Sequence, residues 1–459
     1  MSVVPTSIKQ NLVDCGQEHL LKYWDQLNEH SKANLLTQIE SIDFELLDSF
    51  AEMIRGSAGP IIGDEISPSP FISLDDPSID WSRAKQDGEA MISQGKLGVL
   101  TVAGGQGTRL GWSGPKGTFP ATPVTGKSLF QVVAEQILFA SQKYNVTIPW
   151  YIMTSDENDQ ITRSFLQDNN CFGLDRTDIF VFPQGVVPAI DANGKMLLAE
   201  IDQIFMNPDG HGGVITALHR SGALEEMAAR GVEHLAYVQI DNPLVNVVDP
   251  TFVGIHCSDH SSGEVSSKCV MKSSPDERVG VFCKRGDARS IIEYSDMTSE
   301  QTHEQKDGQL AYCCGSIAAH LFSTGFIENA ASDLPWHVAH KAISHIDSST
   351  GDKVISEEPN AYKFERFVFD VLPLASNSIV LQTKREDEFA PIKNANGNDS
   401  AQTSMKLQRE RAITWLRACG VVVSEDAIIE ISPTTAASIE DLREMELPTE
   451  IGEGEVVLL

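Results

Sequence analysis

The sequence predicts an α/β protein: a large, mostly parallel sheet flanked by helices. Three observations carry this. Short apolar runs alternate with helix-periodic segments over roughly 280 residues, the signature of a sheet with helices on both faces. A glycine-rich loop follows directly on the first run, and Asp241-Asn242 follows another, "HLAYVQI". Ligands of such sheets lie beyond the carboxyl ends of the strands, so both segments point to one edge.

The elements follow in order. Residues 7 to about 56 read as helices, because "GQEHLLKYWDQL" and "FELLDSFAEMI" place apolar residues at three- and four-residue intervals. "GSAGPIIGDEISPSPFISLDDPS", rich in Gly, Pro, Ser and Asp, reads as a linker. Leu97–Val102 is the first buried strand; Phe130, Val133, Ala134, Ile137 and Leu138 then share one helical face. "PWYIMTS" is a strand whose Ser155 is placed to cap the next helix. "IFVF", "HLAYVQI", "SSKCVMK" and "VGVFCK" continue the strand series, with a helix over Ala223–Arg230. "AQTSMKLQRERAITWLRACG" is a helix stopped by Gly420, and "VVVSEDAIIEIS" returns to extended structure. The expected division is an N-terminal helical region with its linker (1–88), a central domain (89–395) and a small C-terminal α+β unit (396–459).

At 459 residues the chain accommodates two or three domains, and 41% hydrophobic and 22% charged residues describe an ordinary soluble protein. A net charge of −30 argues against nucleic-acid and anionic-membrane partners, which need a basic face. Any phosphate site must therefore rest on a few locally concentrated cations. The eight cysteines show no C-x-x-C pair and no zinc spacing, and read as reduced thiols of a cytoplasmic protein. No charged segment leads into an apolar one at the N-terminus, and no window approaches a membrane span. The sequence does not specify an oligomeric state.

"VLTVAGGQGTRLGWSGPKGTFP", residues 99–120, holds six glycines, Arg109 and Lys116. It is not a dinucleotide fingerprint, since Leu110 stands where G-x-G-x-x-G needs glycine. Gly126-Lys127-Ser128 supplies half of a mononucleotide P-loop, but position 121 is alanine, and Pro120 and Pro123 oppose the strand that should precede it. Bare backbone beside two cations suits a nucleoside triphosphate whose pyrophosphate leaves. The plainer alternative is a tight turn whose charges face solvent.

This loop resembles the signature of eukaryotic-type UDP-sugar pyrophosphorylases, and of UDP-N-acetylhexosamine pyrophosphorylases in particular. "WYIMTSDEN", "FPQGVVPA", "PDGHGG", "QIDNPLVNVVDP", "IIEYSDM", "ERFVFDVL" and "REDEFAPIKNA" resemble segments of the same family in the same order, across roughly residues 15–395. The resemblance implies a Rossmann-like, glycosyltransferase-A-like nucleotidyltransferase sheet. It implies that Val102, Ala103, Gly104 and Gly105 approach uracil and ribose, that Arg109 and Lys116 hold the triphosphate, and that Gln184 pairs with the uracil edge. Gly210 would permit close approach, Asp241 would sit near the phosphates and bind Mg²⁺, Glu293 and Tyr294 would meet the sugar, and Lys393 the transferred phosphate.

The sugar half departs from the pattern. His211 stands where N-acetylhexosamine members carry asparagine and glucose-specific relatives histidine. Cys313 and Ser316 replace amides, whereas Phe367 and Phe369 match the aromatics that flank an acetamido group. The implied reaction joins UTP and N-acetylglucosamine 1-phosphate to give UDP-N-acetylglucosamine and diphosphate. A glucose-specific or broad-specificity uridylyltransferase is the alternative; a P-loop kinase and a non-catalytic nucleotide-sugar sensor are more distant ones.

Overall fold

The computed structural model describes residues 3–56, 66–330 and 334–459; residues 57–65 of the expected linker lie outside them. The chain forms two compact units, neither continuous in sequence. One comprises Glu65–Gln184, Val214–Asp333 and Phe369–Leu459; the other Met1–Asp64, Gly185–Gly213 and Leu334–Val368. These limits fall elsewhere than at 88 and 395, because segments far apart in sequence share one core.

The larger unit is built on a ten-stranded sheet. Its strands are β1 (Ile66–Pro68), β2 (Leu97–Val102), β3 (Trp150–Thr154), β4 (Ile179–Pro183), β5 (His234–Gln239), β6 (Val265–Met271), β7 (Val281–Arg285), β8 (Ala288–Ile292), β9 (Cys314–Ser323) and β10 (Ile379–Gln382). The order β1-β7-β9-β5-β2-β3-β4 forms the spine, with β8 on β7 and β6 between β9 and β10. Strands β5, β2, β3 and β4 are mutually parallel, as the buried apolar runs predict. The other half corrects that expectation. Strand β9 pairs antiparallel with β5, β6 and β7, which makes the sheet mixed.

Burial on both faces holds the parallel half. Leu97, Val99, Trp150 and Ile152 pack with Phe130 and Val133 of the helix Leu129–Lys143. Each such side chain contributes about 1.5–3 kcal/mol when fully buried. Trp150 keeps its indole N–H satisfied by donating to Thr101 Oγ1 at 2.8 Å. Ser128 caps that helix by accepting from Gln131 N, whereas Ser155 stands at the N-cap of Asp156–Asp168 without a side-chain cap bond. Toward the C-terminus, the helix Ala401–Ala418 packs its Leu416 with Ile429 and Leu442. The Glu430 carboxylate there accepts from Val124 N and Thr125 N, at 2.8 and 2.9 Å.

The smaller unit combines helices Thr6–Asp14, Glu29–Glu40 and Phe44–Gly56 with short antiparallel strands. Its core holds Leu12, Leu20, Leu35 and Phe50, with Phe50 stacked on Phe364 and edge-on to Trp336. Among the described residues, no helix is long and apolar enough to cross a membrane.

Candidate active site

Parallel register brings the carboxyl ends of four strands to one edge of the larger unit. Val102 faces Met153 on one side and Gln239 on the other, and Thr154 faces Pro183. The ladder continues into the loops, where Ala103 N donates to Met153 O, Gln184 N to Thr154 O and Ile240 N to Val102 O. The segment Val102–Gly105, Gln184 and Asp241 therefore leave the sheet side by side. A Cβ at Gly104 would stand 2.6 Å from Gln184 Oε1, so only glycine lets that buried amide lie against the loop.

The loop then doubles back. Gly107 N donates to Gly114 O and Lys116 N to Gly105 O, at 2.9 and 3.0 Å. This return places Lys116 Nζ 3.0 Å from Asp241 Oδ2, both side chains being largely buried. Burial pushes the Asp241 carboxyl up, but Lys116 and Lys393 together outweigh it and hold the group ionised, below the ordinary carboxylate range. Arg109 is exposed on the 3-10 turn Thr108–Leu110.

Three side chains that the sequence did not single out, Asn158, Glu388 and Lys268, help build this site together with Asn242. Asn158 Nδ2 donates to Gly104 O at 2.8 Å and to Gly105 O at 3.2 Å, fixing the loop's entry. Asn242 joins the segment bearing Lys393 to the one bearing Asp241: its Nδ2 donates to Glu388 O, and its Oδ1 accepts from Ala390 N. Ile392 N adds a bond to Asp241 O at 2.8 Å. Glu388 in turn is gripped by Lys268, 1% exposed, whose Nζ also reaches Asp249. Asn242 and Lys268 carried one legible signal: polar residues at the end of, or inside, runs otherwise apolar. Two buried acceptors near the loop, Ser155 Oγ and Asn158 Oδ1, have no hydrogen-bond partner among the described residues.

Glu293 and Tyr294 emerge from β8. Ile292 faces Val281, Val281 faces Gly315, and Gly315 lies on β9 beyond the end of β5. They thus sit on the same side of the sheet as Asp241, separated from β5 by β7 and β9. Glu293 lies near Gly280, whose carbonyl accepts from Ser316 N. Cys313 Sγ lies 3.9 Å from Cys314 Sγ.

In the smaller unit, residues 209–213 and 365–368 clasp each other. Gly210 adopts φ +85°, and a Cβ there would fall 2.4 Å from Arg366 O. What approaches Gly210 closely is thus the chain's own backbone. Val368 N donates to His211 Nδ1 at 3.1 Å, which leaves the proton of a neutral ring on Nε2. The Phe367 ring stacks on both His211 and His337, with centroids at 5.4 and 4.3 Å. Phe369 belongs to the larger unit, half-buried on the turn Val368–Leu374.

Gly126-Lys127-Ser128 holds no phosphate cradle. Lys127 Nζ donates to Glu135 Oε2 at 2.5 Å and Ser432 Oγ at 2.7 Å, while Pro120 bridges Ser128 where a P-loop needs open backbone.

Residues 64–413 match the model of the UTP–glucose-1-phosphate uridylyltransferase family. The chain belongs to that family. It is 35% identical to UDP-N-acetylglucosamine diphosphorylase 2 of Arabidopsis thaliana, over 95% of this chain and 90% of the relative. It is 32% identical to the UDP-N-acetylglucosamine pyrophosphorylase of Saccharomyces cerevisiae, over 95% and 96%. The solved structure of the uridine diphosphate N-acetylglucosamine pyrophosphorylase from Trypanosoma brucei, with an inhibitor, superimposes with a TM-score of 0.81 at 27% identity, covering 97% of this chain and 95% of that one. The mixed α/β architecture is thus that of a UDP-sugar pyrophosphorylase.

Proposed function

We infer that this chain joins UTP and N-acetylglucosamine 1-phosphate into UDP-N-acetylglucosamine, releasing diphosphate. The observation that carries the reading is the convergence, on one strand edge, of the glycine loop, the Lys116–Asp241 pair and the segment bearing Lys393. The sugar phosphate oxygen forms a bond to the α-phosphorus while the bond from that phosphorus to the β-bridging oxygen breaks. A phosphate monoester is already nucleophilic at neutral pH, so alignment and charge neutralisation suffice. Arg109 and Lys116 would receive the departing diphosphate, and Lys393 would hold the phosphate in flight. Lys116 must then exchange its Asp241 partner for a phosphate oxygen.

Gln184 offers a donor and an acceptor to the uracil edge, and Gly104 lets that amide and the base approach the same backbone. Ser155 Oγ and Asn158 Oδ1 offer further bonds to the nucleoside. The donor set fits Mg²⁺, since Asp241 is an ionised, largely buried carboxylate and this ion binds through one or two carboxylates plus substrate phosphates. Bound there, the ion would neutralise phosphate charge. Eight free thiols and a UTP substrate fit a reducing, cytoplasmic setting.

Glucose 1-phosphate remains a second substrate on a specific observation: Cys313 and Ser316 offer no amide to an acetamido carbonyl. Incubating the chain with UTP and a panel of sugar 1-phosphates, and measuring diphosphate release, tests both. N-acetylglucosamine 1-phosphate should be fastest and glucose 1-phosphate measurable. Release with neither sugar would leave a nucleotide-sugar sensor.

A further inference from the structure

At the opposite end of β5 from Asp241, about 20 Å along the strand, three soft ligands meet. His234 opens β5, while His256 and Cys257 close the helix Pro250–His256. One donor atom from each lies within 4.8 Å of the other two. His234 Nδ1 stands 3.2 Å from His256 Nε2, and Cys257 Sγ stands 3.6 Å from His234 Nε2. Two ligands of a tetrahedral zinc ion sit about 3.3–3.6 Å apart, given metal–nitrogen bonds of about 2.0 Å and metal–sulfur bonds of about 2.3 Å.

We propose that His234, His256 and Cys257 form a binding site for a zinc-class divalent cation, remote from the reacting groups, with a fourth position open to water.

The surroundings favour it. His256 is fully buried, and its other ring nitrogen, Nδ1, lies 2.8 Å from Ser266 Oγ. Such an outer bond orients a metal-bound histidine and fixes its tautomer. Two nitrogens and one sulfur select zinc-like ions over magnesium or calcium. His234 meets its neighbours through different nitrogens, so binding requires one adjustment. Cys257, exposed at the helix end, turns its sulfur toward Nδ1, and its thiol proton passes to solvent as the metal–thiolate bond forms. The plainer account is a histidine pair sharing one proton, and the two differ in what they bind.

The test uses the full chain, freed of metal and titrated with Co²⁺. One equivalent should bind per chain, giving intense tetrahedral d–d bands and a thiolate-to-cobalt charge-transfer band, both abolished by one equivalent of Zn²⁺. Cys257→Ser, at an exposed position, should remove the charge-transfer band and leave diphosphate release unchanged. Ser266→Ala should keep the band and weaken binding about 10–100-fold. No cobalt binding, a spectrum without the thiolate band, or a band that survives Cys257→Ser would each overturn the proposal. Because the readout is spectral, its failure is distinguishable from failure of the uridylyltransferase reading.

Discussion

Lys116 and Lys127 stand eleven residues apart, each in a glycine-bearing segment, each largely buried against one carboxylate. The pairs are Lys116–Asp241 at 3.0 Å and Lys127–Glu135 at 2.5 Å. What separates them is the second partner. Lys127 also donates to Ser432, so both its contacts fasten a helix and the C-terminal segment to one place. Lys116 shares Asp241 with a second cation, Lys393, at the carboxyl edge of the sheet. Two cations around one carboxylate leave positive charge over, and that surplus suits a polyphosphate. Location and charge count, more than motif, set Lys116 apart from Lys127.

The largest expected effect breaks the comparison on the Lys116 side. Lys116→Ala and Arg109→Ala should each lower kcat/KM about 10²–10³-fold, because contacts to a developing anion are worth roughly 2.7–4 kcal/mol. Denaturation midpoints should move little for Arg109→Ala, which is exposed. Normal turnover by either variant would remove the leaving group from this loop.

Lys127→Ala should do the reverse. Stranding the Glu135 carboxylate costs about 3 kcal/mol of stability, read by urea unfolding, while kcat/KM of the folded fraction stays within about threefold of the parent, well under 1 kcal/mol. A collapse of turnover without loss of stability would restore the phosphate-loop reading of Gly126-Lys127-Ser128.

The base sharpens the picture with a smaller effect. Gln184→Ala should weaken UTP by about 1–3 kcal/mol, the cost of a lost partner at a buried polar edge, and leave the KM for the sugar phosphate nearly unchanged. Equal weakening of both would place Gln184 away from the base.

Strands β2, β3 and β5 were legible because burial on both faces makes "LGVLTV", "WYIMT" and "HLAYVQ" nearly unbroken apolar runs. In the antiparallel half, "SSKCVMK" and "VGVFCK" were legible as strands, but their direction and partners were not. Strand β9 reads "CGSIAAHLFS", small and polar in part, and its three partners are chosen by packing that no local pattern records. Arg109, Lys116 and Lys393 were visible in the sequence as scarce cations of an acidic chain. The carboxylates that support them were not, since Glu388 and Asp249 look like ordinary surface charge until pairing with Lys268 shows otherwise.

The smallest effect concerns the two aromatics, Phe367 and Phe369, which the sequence presents as an equivalent pair and which fall in different compact units. Phe367 stacks on His211 and His337, so Phe367→Ala disturbs that clasp and should slow both sugars alike. Phe369 is half-buried on the turn Val368–Leu374. If it walls the acetamido methyl, its removal exposes about one methyl's worth of apolar contact, near 0.8 kcal/mol. Phe369→Ala should then lower kcat/KM for N-acetylglucosamine 1-phosphate roughly fourfold more than for glucose 1-phosphate. An equal loss with both sugars would make Phe369 ordinary packing and leave discrimination to the segments around His211 and Ser316.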